Sequence, residues 1–284
     1  MVPFWKYHGL GNDFIVMDAT RGGVMIEDTQ ARFLCDRFFG VGADGVLTVL
    51  PSERGDFRMH IFNADGSQPE MCGNGIRCFV KYLLDHGLAS GRELAIETGR
   101  GVLTCKAHPG PDGTVETVTV NMGPAEFERE RIPMQGQGRC IQEEISAGDL
   151  RFPISAVSMG NPHMVLFEEA DLSMARKHGP LLESHPLFPE KANVNLTEVK
   201  SRSEIDLVVY ERGCGITKAC GTGACAASAA AAMVDKVDFD REIQVNLPGG
   251  SLFVQVERDF SSIWMRGPAV EVFRGELEGA IGRK

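Results

Sequence analysis

The chain is short of basic charge: its 284 residues carry 29 Lys and Arg against 39 Asp and Glu, a formal net charge of −10. Nucleic acid and anionic membrane surfaces need clustered cations, so both are excluded as partners and a small molecule is expected instead. No run of about 18 apolar residues is present, which rules out a membrane-spanning helix. No secretory leader is expected either, because Lys6, His8, Asn12 and Asp13 interrupt every apolar stretch near the start, so a cytoplasmic location is expected. The eight cysteines then read as reduced thiols rather than a disulfide framework. They also lack the paired short spacings of a tetrahedral zinc site: Cys72 to Cys78 and Cys214 to Cys220 are too wide, and only Cys220 to Cys225 comes near. No metal is expected.

What is present is a repeat. Met71-Cys72-Gly73-Asn74-Gly75 recurs as Ala219-Cys220-Gly221-Thr222-Gly223, the cysteines displaced by 148 positions (220 − 72). Gly11-Asn12 matches Gly160-Asn161, Ala43 matches Ala192, Arg92-Glu93 matches Arg241-Glu242 and Gly101 matches Gly250, each displaced by 149. Gly123-Pro124-Ala125 returns as Gly267-Pro268-Ala269, displaced by 144. Two domains are therefore expected, residues 1–145 carrying Cys72 and residues 146–284 carrying Cys220, with 140–152 and its Gly148-Asp149 pair as the junction.

Residues 57–62 alternate apolar and polar side chains as a half-buried strand does, and 205–210 hold the equivalent place in the second copy. The stretch from Ile76 to Gly87 has helical spacing and a closing glycine, whereas Ala224 to Val234 is small or apolar on every side, the mark of a helix buried in protein. Strand pairs follow in both copies, 94–98 with 101–107 and 243–247 with 251–256. The fold class is α+β: two pseudo-symmetric domains, each a curved, mostly antiparallel sheet or barrel around a central helix, with an active site in the cleft between them.

A strand, a loop and then Cys-Gly-x-Gly opening a helix puts a thiol where unpaired amides and the helix dipole favour negative charge, which should lower its pKa toward neutrality. The glycines allow a ligand close to the backbone, so the same amides could bind a carboxylate. Two such turns suit one reaction in particular. A thiolate on one face of an amino acid removes the Cα proton, a thiol on the other face returns one, and the configuration inverts. Cys72 and Cys220 are the candidates; Cys35, Cys78, Cys105, Cys140, Cys214 and Cys225 read as small hydrophobes or bystanders. Gly40-Val41-Gly42-Ala43-Asp44-Gly45 satisfies G-x-G-x-x-G, but it follows a helix-like stretch (29–39) and precedes a strand (46–50), the reverse of a dinucleotide site.

These residues resemble the diaminopimelate epimerase family over essentially the whole chain. The likeness rests on His8-Gly9-Leu10-Gly11-Asn12-Asp13-Phe14, Phe62-Asn63-Ala64-Asp65-Gly66-Ser67, Cys72-Gly73-Asn74-Gly75-Ile76-Arg77-Cys78, Gly160-Asn161-Pro162-His163, Tyr210-Glu211-Arg212-Gly213 and Ala219-Cys220-Gly221-Thr222-Gly223-Ala224-Cys225. It implies a cofactor-independent epimerase of the lysine and peptidoglycan pathway, using neither pyridoxal phosphate nor metal, in which Cys72 and Cys220 are the acid/base pair. Gly73-Asn74 and Gly221-Thr222 would hold the reacting carboxylate, and Asn12, Asn63, Asn161, Asn193, Glu211 and Arg212 the rest of the substrate. Arg212 offers a fork for a carboxylate and Glu211 an acceptor for an ammonium. His163 and Glu211 would tune the cysteines, and a homodimer is implied. Some members carry Gln where this chain has Gly45, which is left out of the site. Two alternatives stay open: a proline or hydroxyproline racemase of the same fold, and a dithiol switch without catalysis, in which Cys72 and Cys220 form a reversible disulfide.

Overall fold

The structure is a computed structural model that describes residues 1–20, 22–148 and 150–278. In chain order its elements are β1 (Val2–Gly9), β2 (Asn12–Asp18), α1 (Asp28–Cys35), β3 (Gly45–Leu50), β4 (Phe57–Asn63), α2 (Gly73–Asp85), β5 (Glu93–Thr98), β6 (Gly101–Pro109), β7 (Val115–Asn121), a 3-10 turn (Arg129–Arg131), β8 (Glu143–Ala147), β9 (Leu150–Ser158), β10 (Pro162–Leu166), α3 (Leu172–Glu183), β11 (Asn193–Ser201), β12 (Glu204–Glu211), β13 (Gly215–Ile216), α4 (Gly221–Met233), β14 (Glu242–Leu247), β15 (Gly250–Val256), β16 (Ile263–Pro268) and β17 (Val270–Leu277). The class is α+β, mostly strand, and the chain divides into two compact units: Met1–Val120 with the chain from Gly267 onward, and Asn121–Arg266.

In the first unit β1 pairs antiparallel with β2 and with β17, β2 runs parallel to β3, β3 antiparallel to β4, β4 parallel to β5, and β5, β6 and β7 form an antiparallel meander. Helix α2 packs on β1, β2, β3 and β6. Every residue from Gly73 to Leu83 is buried. The helix ends as its closing glycine predicts: Gly87 takes φ +66°, its N–H donates to Leu84 O, and the Leu88 N–H donates to Leu83 O. Those bonds satisfy carbonyls that the last turn would leave bare.

The second unit repeats that order of pairings. β9 and β10 are antiparallel, β10 and β11 parallel, β11 and β12 antiparallel, β12 and β14 parallel, and β14, β15 and β16 antiparallel. Helix α4 contacts β9, β10, β11, β12, β14 and β15. Its run of Ala224 to Ala232 is buried throughout, because small side chains let strands approach from all sides. It closes with the same bonding as α2, with Asp235 at φ +55° in place of glycine.

Residues 140–152, expected as a junction, instead run into the β8–β9 hairpin, which puts Ile145, Ala147, Phe152 and Ile154 into the second unit's core. Asp149 of that expected junction lies outside the described residues. The sequence repeat, divided near residue 145, and the packing units are different partitions of the chain. Residues 121–145 pack with the second unit, and the strand after Gly267 packs with the first, on β1. Among the described residues no helix is long and apolar enough to cross a membrane.

Candidate active site

Each unit carries one helix capped by a cysteine. Cys72 has the extended backbone of an N-cap residue (φ −135°, ψ 118°), and its Sγ accepts the Gly75 N–H at 3.4 Å. Cys220 has the same conformation (φ −124°, ψ 109°), and its Sγ accepts the Gly223 N–H at 3.4 Å. Sulfur thus occupies the place that Ser or Asp oxygen usually takes at a helix start. Gly73-Asn74 and Gly221-Thr222 supply the first two amides of each helix, the ones with no intrahelical acceptor.

Around Cys72 the first unit gathers two more of the expected residues. The Cys72 thiol donates to Asn12 Oδ1 at 3.7 Å, and Asn74 Nδ2 donates to the same oxygen at 3.1 Å. The carboxamide of Asn12 is held from its other end, where Nδ2 donates to Asp44 Oδ2 at 2.8 Å. Arg37 binds Asp44 at 2.9 Å and Asp13 at 2.7 Å, and Lys6 binds Asp13 from the other side. Burial opposes the charge on Asp13, but the hydrogen bonds from Arg37 and Lys6 outweigh it and bring the carboxyl down to about 2. Behind Asn74, the buried Arg77 donates to Asn74 Oδ1 at 2.8 Å and to Gly73 O at 2.9 Å. Asn63 ends β4, opposite Gly45, and donates to Ser67 Oγ at 3.0 Å.

The second unit gathers Asn161, His163, Glu211, Thr222 and Cys220. Thr222 Oγ1 lies 3.6 Å from Cys220 Sγ and accepts from Asn161 Nδ2 at 3.4 Å, while His163 Nε2 lies 3.0 Å from Asn161 Oδ1. His163 reaches the sulfur's surroundings through Asn161 and Thr222. Burial drives its pKa down to about 3, with the nearby Arg212 charge acting in the same sense, so the imidazole is neutral. Asn193 sits opposite His163 in the β10–β11 pairing; its Oδ1 accepts the Arg212 N–H at 3.0 Å and its amide donates to Pro162 O at 3.0 Å. Arg212 itself is exposed, with Nη1 on Glu190 O at 3.0 Å.

One electrostatic expectation fails. The helix start was to lower the thiol pKa, yet Cys220 is raised well above its ordinary value: burial is the largest cause and the neighbouring Glu211 charge adds to it. The Thr222 and Gly223 hydrogen bonds pull the other way and lose, because desolvating a sulfur anion costs more than two weak hydrogen bonds return. Glu211 is itself raised by burial, against hydrogen bonds from the Thr217 hydroxyl and Cys220. At neutral pH Cys220 is a thiol, ready to give a proton.

Three residues in direct contact with the expected site are given no role by the sequence: Asp44, inside the Gly40–Gly45 motif, Arg77, inside the Cys72–Cys78 motif, and Asn195. Of the six remaining cysteines, Cys214 is exposed and the others are buried. Burial pushes the Cys35 and Cys78 thiols up to about 12, which suits inert side chains. An added Cβ at Gly45 would stand 2.6 Å from Phe62 O, so this backbone has no room for a side chain at that position.

A sequence profile described as diaminopimelate epimerase matches residues 4–128 and 155–272. The chain is 47% identical over 280 residues to a diaminopimelate epimerase from Desulforudis audaxviator, spanning 97% of this chain and 99% of that protein. It is 46% identical over 277 residues to one from Moorella thermoacetica, spanning 96% and 98%. Among solved structures, a hydroxyproline epimerase from Agrobacterium vitis with bound trans-4-hydroxy-L-proline superposes with a TM-score of 0.71 at 16% identity, covering 97% of this chain and 90% of that one. At that identity the likeness is one of fold.

Proposed function

Because the chain belongs to the diaminopimelate epimerase family, we propose that it interconverts LL- and meso-2,6-diaminopimelate by a two-base exchange of the α-proton at one end of the substrate. The observation that carries this reading is the recurrence, in each unit, of a cysteine whose sulfur caps a helix and accepts that helix's third amide. In the LL-to-meso direction the Cys72 thiolate takes the Cα proton and becomes a thiol. The electron pair left on Cα is delocalised into the carboxylate, stabilised by amides of Gly73, Asn74, Gly221 and Thr222. The Cys220 thiol then delivers its proton to the opposite face and becomes a thiolate. Atoms and charge balance, and the enzyme ends with the two sulfurs in exchanged states, set for the reverse reaction or for reset by solvent. The raised pKa of Cys220 supports its part as the donor in this direction.

Asn12, Asn63, Asn161 and Asn193 are proposed as polar contacts of the substrate. Glu211 and Arg212 would receive the ammonium and carboxylate of the unreactive end, where an acceptor and a planar fork give chirality its handles. The proposal extends to a homodimer in the cytoplasm, acting in lysine and peptidoglycan precursor synthesis, with no cofactor, nucleic acid or membrane as partner.

Serine replacement tests the roles. Serine is a better N-cap than cysteine, so C72S and C220S should keep the fold, while a hydroxyl of much higher pKa cannot exchange the proton. Each variant is expected to lose roughly 10³-fold or more in turnover of diaminopimelate, at the scale of removing an acid/base group. Full activity in both variants, or α-proton exchange on proline and none on diaminopimelate, would overturn the reading.

A further inference from the structure

We infer that Asn195 is a positioning residue that fixes the direction of the hydrogen bonds ending on Cys220. Asn195 lies on β11, wholly buried behind the second cysteine turn. The two N–H groups of its Nδ2 face three acceptors, the backbone carbonyls Met164 O at 3.0 Å and Asn193 O at 3.2 Å and the ring nitrogen His163 Nδ1 at 3.2 Å, so one N–H is shared between two of them. A backbone carbonyl can only accept. The two carbonyls therefore decide which end of the carboxamide is nitrogen, and the flipped amide would set its oxygen against both.

From that point each step follows from donor and acceptor capacity. An amide nitrogen cannot accept, so an Nδ1–H on His163 would face it without a partner; Nδ1 is therefore the unprotonated nitrogen, and a neutral imidazole carries its proton on Nε2. His163 Nε2–H donates to Asn161 Oδ1 at 3.0 Å, which turns the Asn161 amide nitrogen toward Thr222. Asn161 Nδ2 donates to Thr222 Oγ1 at 3.4 Å, and the Thr222 hydroxyl is left to donate to Cys220 Sγ at 3.6 Å. A hydroxyl donated to sulfur stabilises the thiolate. Cys220 holds that state after delivering its proton and before taking one in the reverse direction.

The arrangement has a visible cost. Asn195 Oδ1 is buried with no hydrogen-bond partner among the described residues, and it stands 2.8 Å from where a Cβ on Gly223 would lie. Such an orphaned acceptor is ordinarily selected against, so its retention beneath the catalytic turn marks the donor end as the part that is used. The groups facing Cys220 are Glu211 from β12, Thr222 and the Gly223 amide from α4, and His163 of β10 through Asn161. Of these, the His163–Asn161 contact and the hydrogen-bond direction at Thr222 depend on Asn195, while the Glu211 and Gly223 contacts do not.

The inference rests on the epimerase reading for its effect on turnover, but its core is read without substrate. In the full-length protein labelled with ¹⁵N-histidine, and with the His163 signal assigned by its absence in H163Q, His163 is expected as the Nε2–H tautomer. In N195D the carboxylate accepts from Nδ1–H instead. The tautomer switches, Asn161 turns over, and the Thr222 hydroxyl donates away from the sulfur. That variant should lose roughly tenfold to a hundredfold in kcat, the worth of one hydrogen bond to a charged group, with the pH limb that reports Cys220 moved upward. An Nδ1–H tautomer in the unaltered protein overturns the inference, as does an N195D protein that keeps Nε2–H or full kcat. Should N195D fail to fold, the spectrum of the unaltered protein decides alone.

Discussion

A carboxylate accepts hydrogen bonds and never donates them, and Asp44 uses this to hold Asn12 with its oxygen toward Cys72. In D44N that compulsion is gone and only Asn74 Nδ2, itself turned by Arg77, still holds the Asn12 oxygen in place, so Asn12 more readily offers its amide nitrogen to the sulfur. We expect Cys72 in D44N to be alkylated by iodoacetamide at neutral pH roughly ten times faster, about the effect of one pKa unit, with Cys220 unchanged in the same peptide map. Equal rates would show that Asn12 is oriented by something else. His163 supports a second prediction. Its pKa is near 3 when folded against an ordinary 6.5, so below 6.5 the unfolded chain binds a proton that the folded chain refuses. Stability therefore falls as pH drops from about 6.5 toward 3, by about 1.4 kcal/mol per unit from this group. Urea unfolding between pH 4 and 6.5 should be less steeply pH-dependent in H163Q by that amount. At this scale the sequence motifs name the residues proposed to carry chemistry and miss those that orient them. Cys72, Cys220 and Asn12 stand in recognisable words, whereas Asp44 sits in a word that means something else in other folds. Asn195 acts only because a parallel strand pairing brings β11 beside β10.

At the scale of elements, α2 and α4 were legible because their boundaries are chemical: a cysteine with two glycines opens each, and the αL residue that closes α2 is a glycine. Helix α3 was not, since Gly179 and Pro180 interrupt it; the glycine is there because a Cβ would meet the Tyr210 ring at 2.5 Å. The second cysteine turn is equally tight. A methyl at Gly223 would stand 2.8 Å from Asn195 Oδ1, 3.1 Å from Val209 Cγ2 and 3.2 Å from Cys220 Cβ. G223A is therefore expected to destabilise the protein by about 1–3 kcal/mol through overpacking and to depress turnover by displacing the sulfur. Thermal unfolding together with kcat checks this. An unchanged midpoint would mean that the turn yields more easily than its neighbours allow.

Over the whole molecule, the doubled sequence was enough to anticipate two units with the same α+β build, because a repeat preserves the order of strand pairings even where side chains diverge. It was not enough to say which strands close each unit. The repeat continues to Gly267-Pro268-Ala269, at a displacement of 144 rather than 149, yet β17 beyond it pairs with β1 of the first copy, since pairing follows exposed strand edges rather than ancestry. The central claim concerns both copies at once: one sulfur removes a proton and a different sulfur returns another. Turnover of LL-diaminopimelate in D₂O, stopped at low conversion, tests it most directly. The account predicts one deuterium at the inverted centre of the meso product and none in the recovered substrate. Early deuterium in both, as a single group working on both faces would leave, would contradict it.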